Sequence, residues 1–209
     1  MKHKLDLENW PRKQHFEFFK QFEEPYFGVT VNVDLTLAYE HAKAAGVSLF
    51  IYYLFQSLGA ANMVEPFRYR IEDDQVVVYD EVHASATINR PNGTFGFSYI
   101  DYHPSFNKFL EGAEREIDRV QNTTDLMPST SGQNVIHFSA LPWINFTSIS
   151  HARMFSFNES VPKISFGRIT DIDGQKIMPV SIHVHHALMD GLHVGQYLQA
   201  YQDLLNMGL

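Results

Sequence analysis

The sequence predicts a mixed β-sheet with helices packed on it, an α+β or irregular α/β domain. Three observations carry this. Runs with the two-residue period of half-buried strands recur along the chain, and stretches with a helical apolar period lie between them. The two kinds interleave without a regular strand–helix–strand rhythm. No repeat, low-complexity tract or linker divides the chain, so residues 1–209 read as one domain, long enough to bury a full core.

Taken in order, residues 12–22 form a short helix with Phe16, Phe19 and Phe22 three apart. Phe27, Val29, Val31 and Val33 alternate with Gly28, Thr30 and Asn32, the period of a half-buried strand. Thr36 caps a helix that runs to Gly46, and Ser48 caps a second, apolar helix to about Met63, which Glu65-Pro66 ends. Phe67–Ile71 and Gln75–Tyr79 make a hairpin around Glu72-Asp73-Asp74. Ala84–Asn89 and Thr94–Asp101 make another around Pro91-Asn92-Gly93. Pro104 to Val120 reads as a helix because Phe106, Phe109, Leu110, Ala113, Ile117 and Val120 share one face. Residues 121–133 are a polar loop. Val135–Phe138, Ile144–Ile149, Lys163–Thr170 and Ile177–His186 read as strands, with a turn at Asp171–Gly174. Leu192 to Met207 closes the chain as an amphipathic helix with Leu198, Tyr201 and Leu205 inward.

Composition excludes several classes. Lys plus Arg is 16 against 24 Asp plus Glu, a formal net charge of −8, which argues against nucleic acid as a partner. With no cysteine, thiolate metal sites, disulfides and cysteine nucleophiles are ruled out. Their absence fits a reducing compartment without proving one. Met1 to Asn9 has a basic start but no apolar run behind it, so it is not a signal peptide. No window approaches the roughly 18 apolar residues of a membrane span. The longest candidate, Val47 to Leu58, is interrupted by Ser48, Gln56 and Ser57. The cytoplasm is the default reading. The 17 Phe and 10 Tyr fit a Phe-rich core, an aromatic ligand pocket, or both.

The segment richest in chemistry is 181–195, SIHVHHALMDGLHVG. Neighbours on a strand point to opposite faces, so His183 and His185 share one face while Ile182, Val184 and His186 share the other. One histidine therefore stands on the apolar face near the end of the strand, and Asp190-Gly191 turns the chain into the last helix. Three readings compete. His183, His185 and His193 could ligate a metal, although no clear carboxylate completes the set. The histidines could be structural, with Asp190-Gly191 a simple turn. Or one could act as a general base, since imidazole titrates near pH 6.5.

The string His185-His186-x-x-x-Asp190-Gly191 resembles the signature of chloramphenicol acetyltransferases and of the wider coenzyme A-dependent acyltransferases. Residues 10–19 (WPRKQHFEFF) resemble the Trp-x-Arg-x-x-His-Phe-x-x-Phe/Tyr opening of the first family, and residues 139–149 (SALPWINFTSI) its Ala-Leu-Pro-Trp-x-x-Phe-x-Ser segment. The likeness covers the chain from about residue 6 onward. It implies a two-layer α/β sandwich, mixed sheet with helices on one face, that assembles as a homotrimer with active sites between subunits. It implies acetyl-CoA as cosubstrate, a small hydroxyl acceptor such as chloramphenicol, and no metal, nucleic acid or membrane.

By position, the resemblance makes His186 the base that takes the acceptor's hydroxyl proton. It makes Ser148 the donor to the tetrahedral oxyanion, and Ser165 a stand-in for a threonine that holds a water there. Asp190 becomes the partner of Arg12 that steadies the loop, and Arg168 takes the place of a lysine near coenzyme A. Phe18, Phe19 and the strand aromatics Phe95, Phe97 and Tyr99 suit an aromatic acceptor pocket. Glu23 and Lys163 stand where apolar residues are expected, and Pro25 at another contact. A charge in a dry aromatic pocket is costly unless paired. Glu23 and Lys163 therefore either pair across the subunit interface or turn to solvent, and the acceptor is either chloramphenicol or a different, more polar hydroxyl compound. A free-standing relative of dihydrolipoyl acyltransferase cores and a non-catalytic binding relative are the remaining alternatives.

Overall fold

Residues Gln175–His185 alternate small or apolar with polar side chains, and they form the longest strand of the structure, around which the main sheet is built. The structure, a computed structural model, describes residues 1–127, 132–154 and 159–208. The elements in chain order are β1 (Lys2–Lys4), α1 (Lys13–Phe19), β2 (Tyr26–Asp34), α2 (Thr36–Ala45), α3 (Leu49–Met63), β3 (Tyr69–Glu72), β4 (Gln75–Tyr79), β5 (His83–Asn89), β6 (Phe95–Phe97), α4 (Phe106–Gln121), β7 (Val135–Ala140), β8 (Lys163–Phe166), β9 (Thr170–Ile172), β10 (Gln175–His185) and α5 (Gly191–Met207).

The main sheet runs in the order β2-β10-β8-β7-β5-β6, with β9 beside β8 on the same flank of β10. β10 is antiparallel to β2 and β8, whereas β7 is parallel to both β8 and β5, so the sheet is mixed. Its two faces differ because strand side chains alternate. One face carries Met178, Val180, Ile182 and Val184 of β10 with Ile164, Phe166, Ile136, Phe138, Ala84 and Ala86 of the neighbouring strands, and joins the helices in one continuous core. α3 is buried nearly all round, as a helix apolar on every side must be. Its Ser57 hydroxyl meets the Tyr197 hydroxyl of α5 at 2.6 Å, which satisfies both buried groups. α4 buries Phe106, Phe109, Ala113 and Val120 and turns its charges outward. The opposite face is polar: Ser85, His137, Lys163 and His183 are brought together by the register, as are Ser139, Ser165 and Ser181.

A second, three-stranded sheet, β1-β4-β3, packs with α1 in a smaller core of Phe16, Tyr69, Val76 and Val78. Ala187 and Leu188 are fully buried in that core, so the segment after β10 is wedged between the two sheets' packing units.

Several expectations need correction. Ile144–Ile149 is not a strand: the Leu141 carbonyl accepts from Ile144 N at 3.0 Å in a turn over Pro142, and Trp143 and Ile144 are left exposed. Phe67 belongs to a 3-10 turn, Glu65–Arg68, begun by Pro66, so the first hairpin starts at Tyr69. In the second hairpin the ladder with β5 is interrupted after Phe97, whose N–H turns away to the Leu126 carbonyl, and it resumes where Ser98 N donates to the Ala86 carbonyl and Ile100 bridges Ala84. Lys163–Thr170 splits into β8 and β9 at Gly167, where a side chain would strike Pro179. Thr36 lies inside α2, and Asp34 Oδ1 accepts from its N–H at 2.8 Å instead. Ser48 stands at the cap of α3 but its hydroxyl makes no capping bond. Gly46 ends α2 in the left-handed region, φ 67°, as glycine at a helix stop allows. β1 was not expected. Its partner β4 lies more than seventy residues on.

Candidate active site

β10 ends at His185, so His186 is already in the turn that follows. Its N–H donates to the Pro25 carbonyl at 2.8 Å, which ties the turn to the start of β2. Leu188 N and Met189 N both donate to the His185 carbonyl, at 3.0 and 3.2 Å. The imidazole of His186 lies on Phe19, ring centroids 4.0 Å apart and 19° from parallel, and on Phe27 at 4.7 Å. Its Nδ1 is 3.2 Å from the Met189 carbonyl oxygen. A carbonyl can only accept, so the partner assigns the proton to Nδ1 and leaves the lone pair on Nε2.

Asp190 is the cap of α5. Its Oδ1 accepts from Leu192 N at 3.0 Å, and its own N–H donates to His193 Nδ1 at 3.1 Å. Its other oxygen is paired with Arg12, whose second terminal nitrogen reaches the His186 carbonyl at 3.4 Å. Burial by itself would raise the Asp190 carboxyl; the Arg12 guanidinium overcomes this and holds it below the usual carboxylate range.

On the polar face of the main sheet lies a cavity of about 500 Å³. Phe97 and Tyr99 line it, with Phe95 from β6 at one end and Lys163 and Ser165 from β8 at the other. Glu159 closes the β8 end. Lys163 Nζ donates to its two carboxylate oxygens at 3.0 and 2.8 Å, and His137 Nδ1 stands 3.3 Å from Oε1. Burial pushes this carboxyl up, but the bonds from His137 and Lys163 outweigh it and hold it at about 2. His151, also in the wall, packs edge-on against His183. Burial, with the nearby His183 and Lys163, holds its imidazole down to about 4. The Ser165 hydroxyl and His151 Nε2 are buried without a hydrogen-bond partner.

The structure therefore brings the sequence-derived residues together in two groups. Arg12, His186, Asp190 and Phe19 form one, with Pro25 buried behind His186. Phe95, Phe97, Tyr99, Lys163 and Ser165 form the other, around the cavity, whose lining does not include His186. Phe18, Glu23, Ser148 and Arg168 are exposed. Within the chain the partner of Lys163 is Glu159, not Glu23. Among the described residues no group of three or more His, Cys, Asp or Glu side chains is placed to hold a metal ion, and His193 is engaged with Asp190. Sequence reasoning missed Glu159, His137 and His151. His137 carried a usable signal, a polar residue two before Ser139 on a strand; Glu159 and His151 lie in irregular segments with none.

A sequence model of the family described as chloramphenicol acetyltransferase matches residues 1–202. A chloramphenicol acetyltransferase of Proteus mirabilis is 29% identical over 205 residues, 98% of this chain and 94% of that protein. A solved structure of a chloramphenicol acetyltransferase superposes with a TM-score of 0.89 at 33% identity, covering 98% of this chain and 100% of the other. A dihydrolipoamide acetyltransferase of Azotobacter vinelandii shares the fold at a TM-score of 0.65 and 16% identity, over 93% and 86% of the two chains. No helix among the described residues is long and apolar enough to cross a membrane. With the family matched along nearly its whole length, the chain belongs to the chloramphenicol acetyltransferases and is an acyltransferase.

Proposed function

We propose that this protein transfers an acetyl group from acetyl-CoA to a hydroxyl of chloramphenicol or a similar small acceptor, by direct attack in a ternary complex. The observation that carries this is the state of His186: Nδ1 bound to the Met189 carbonyl, Nε2 left with its lone pair, and the ring clamped on Phe19 and Phe27. An imidazole so held is a base of fixed direction, and a positioned base contributes about 10²–10⁴-fold.

In this reading Nε2 takes the proton of the acceptor hydroxyl as that oxygen attacks the thioester carbonyl. The tetrahedral intermediate collapses, the carbon–sulfur bond breaks, and the leaving thiolate recovers the proton from the imidazolium. Ser148 donates to the oxyanion, and the partnerless hydroxyl of Ser165 holds a water beside it. Arg12 and Asp190 position the turn and do not relay protons. Arg168, exposed after β8, lies toward the phosphates of coenzyme A. The protein works as a cytoplasmic homotrimer in which His186 of one copy faces the cavity of the next. Two features support this assembly: His186 and the cavity do not meet within one chain, and Phe18 and Phe22, beside Phe19, are exposed large apolar groups.

Purified protein with acetyl-CoA, chloramphenicol and a thiol reagent should release free coenzyme A, and the His186→Ala variant should not, while keeping the same oligomeric mass. Near-wild-type release by that variant would remove the base from the scheme.

A further inference from the structure

The cavity holds an ion pair that an apolar acceptor would leave unused. Glu159 and Lys163 keep 18% and 11% of their side chains exposed, and the acid is ionised. Two charges taken out of water carry a desolvation cost, so the pair is a poor stabilising device by itself. Beside it His151 Nε2 is buried with no partner, and Lys163 sits 9% exposed on the cavity wall. Buried polar atoms in native proteins are satisfied, by protein, water or ligand. At the other end of the cavity, across β7 and β5, stand the aromatic rings of Phe95 and Phe97.

The pair is internally neutral, which decides the chemistry of what it recognises. A ligand carboxylate would meet Lys163 already compensated and Glu159 repelling it. A ligand ammonium would meet the reverse. A hydroxyl suits both, since it donates to the free lone pairs of Glu159 and accepts from Lys163 or from an imidazole N–H. Several hydroxyls on one edge of a ring would also serve His137 and His151, while the ring's apolar face lies against the aromatic end.

We propose that Glu159 and Lys163, with His137 and His151, make this cavity selective for a neutral, hydroxyl-rich acceptor with one apolar face, of the chemical class of a glycoside or cyclic polyol. This rests on the reading of the cavity as the acceptor site of an acetyltransferase. It names the acceptor's class and assigns specificity to Glu159, His137 and His151.

The test compares acceptors under acetyl-CoA: a panel of methyl glycosides against chloramphenicol, by coenzyme A release, with kcat and KM resolved. The wild-type protein should favour the best glycoside over chloramphenicol in kcat/KM. A double variant, Glu159→Leu with Lys163→Ile, removes both charges together and should shift that ratio toward chloramphenicol by roughly tenfold or more, mainly through KM for the glycoside. Should the double variant fail to fold by near-UV circular dichroism, Glu159→Gln keeps the shape and should move the ratio in the same direction. Equal effects on both acceptors, or a wild-type preference for chloramphenicol, overturn the assignment while leaving acetyl transfer intact. Absence of release with every acceptor overturns the acetyl-transfer reading and the assignment with it.

Discussion

Arg12 and Asp190 stand 178 positions apart in the chain and meet as an ion pair that braces the turn carrying His186. The same guanidinium reaches the His186 carbonyl at 3.4 Å, so one side chain from the start of α1 holds both ends of the turn. Asp190→Asn keeps a good helix cap but loses the charge. Arg12→Met leaves Asp190 without its partner. With Arg12 14% and Asp190 33% exposed, the pair lies between surface and buried cases, and Arg12→Met should cost about 2 kcal/mol. If His186 is the base of the proposed mechanism, both variants should lower kcat by roughly tenfold with little change in KM, because they disturb its setting rather than binding. Denaturant unfolding and steady-state kinetics check this; a variant that loses stability but keeps kcat would separate the brace from the chemistry.

Gly28 lies opposite His183 in the pairing of β2 with β10. A Cβ built there would stand 2.5 Å from His183 Cε1, so the imidazole itself fills the space that a side chain would take. That ring also contacts the Ser181 hydroxyl, at 3.1 Å, and packs against His151. Gly28→Ala must push the ring off both, and should destabilise by about 1–3 kcal/mol despite the usual gain from replacing a strand glycine. Thermal unfolding of Gly28→Ala beside Gly28→Ala with His183→Ala checks it: the second change should restore much of the loss.

Ser165 is fully buried and its hydroxyl has no partner. Ser165→Ala removes an unsatisfied group, so stability should change by less than about 1 kcal/mol in either direction. Turnover should fall by roughly tenfold or more if the hydroxyl serves the oxyanion. A large drop in melting temperature with unchanged kcat would give it a structural role instead.

The parts of the fold that read directly from sequence are those whose pattern is local. α4 shows a one-sided apolar stripe, α2 ends on a glycine that adopts positive φ, and β10 alternates cleanly enough to assign its two faces residue by residue. Ile144–Ile149 has strand-forming residues, but the turn over Pro142 carries it out of the ladder after β7, with the Ile144 carbonyl accepting from Arg168 N at 2.8 Å, and only tertiary placement reveals that. The termini of strands were legible to within a few residues, and for His186 one residue matters: it sits just past the ladder, where its ring is held by Phe19 of α1 rather than by the sheet. The cavity's charge could not be read at all from Lys163 alone, because its partner Glu159 comes from an irregular stretch and is chosen by packing, not by sequence period.

The buried histidines give the protein an acid limit whose sign follows from their direction of shift. His185, 5% exposed, is held down to about 4 by burial first and by Arg153 and His186 second, and His151 is held at about 4 as well. In the unfolded chain both take up a proton from near pH 6.5 downward, while the native state resists until about 4. Stability is therefore full above pH 6.5, falls as the pH descends through that window, and this contribution levels off below 4. Each histidine accounts for on the order of 2 kcal/mol across the window after allowance for solvent. Glu159 works at lower pH: held at about 2 by His137 and Lys163 against an ordinary value of 4.5, it supports the fold above pH 4.5 and loses that support as the pH falls toward 2. The melting temperature should thus decline in two overlapping steps, the first between pH 6.5 and 4. His185→Phe should shrink the first step by about half and leave the second, whereas Glu159→Gln should shrink the second and slightly deepen the first, since the Glu159 carboxylate holds the His151 imidazole up, both read by calorimetry at half-unit pH intervals. A melting temperature constant from pH 7 to 4.5 would contradict the neutral burial of these rings.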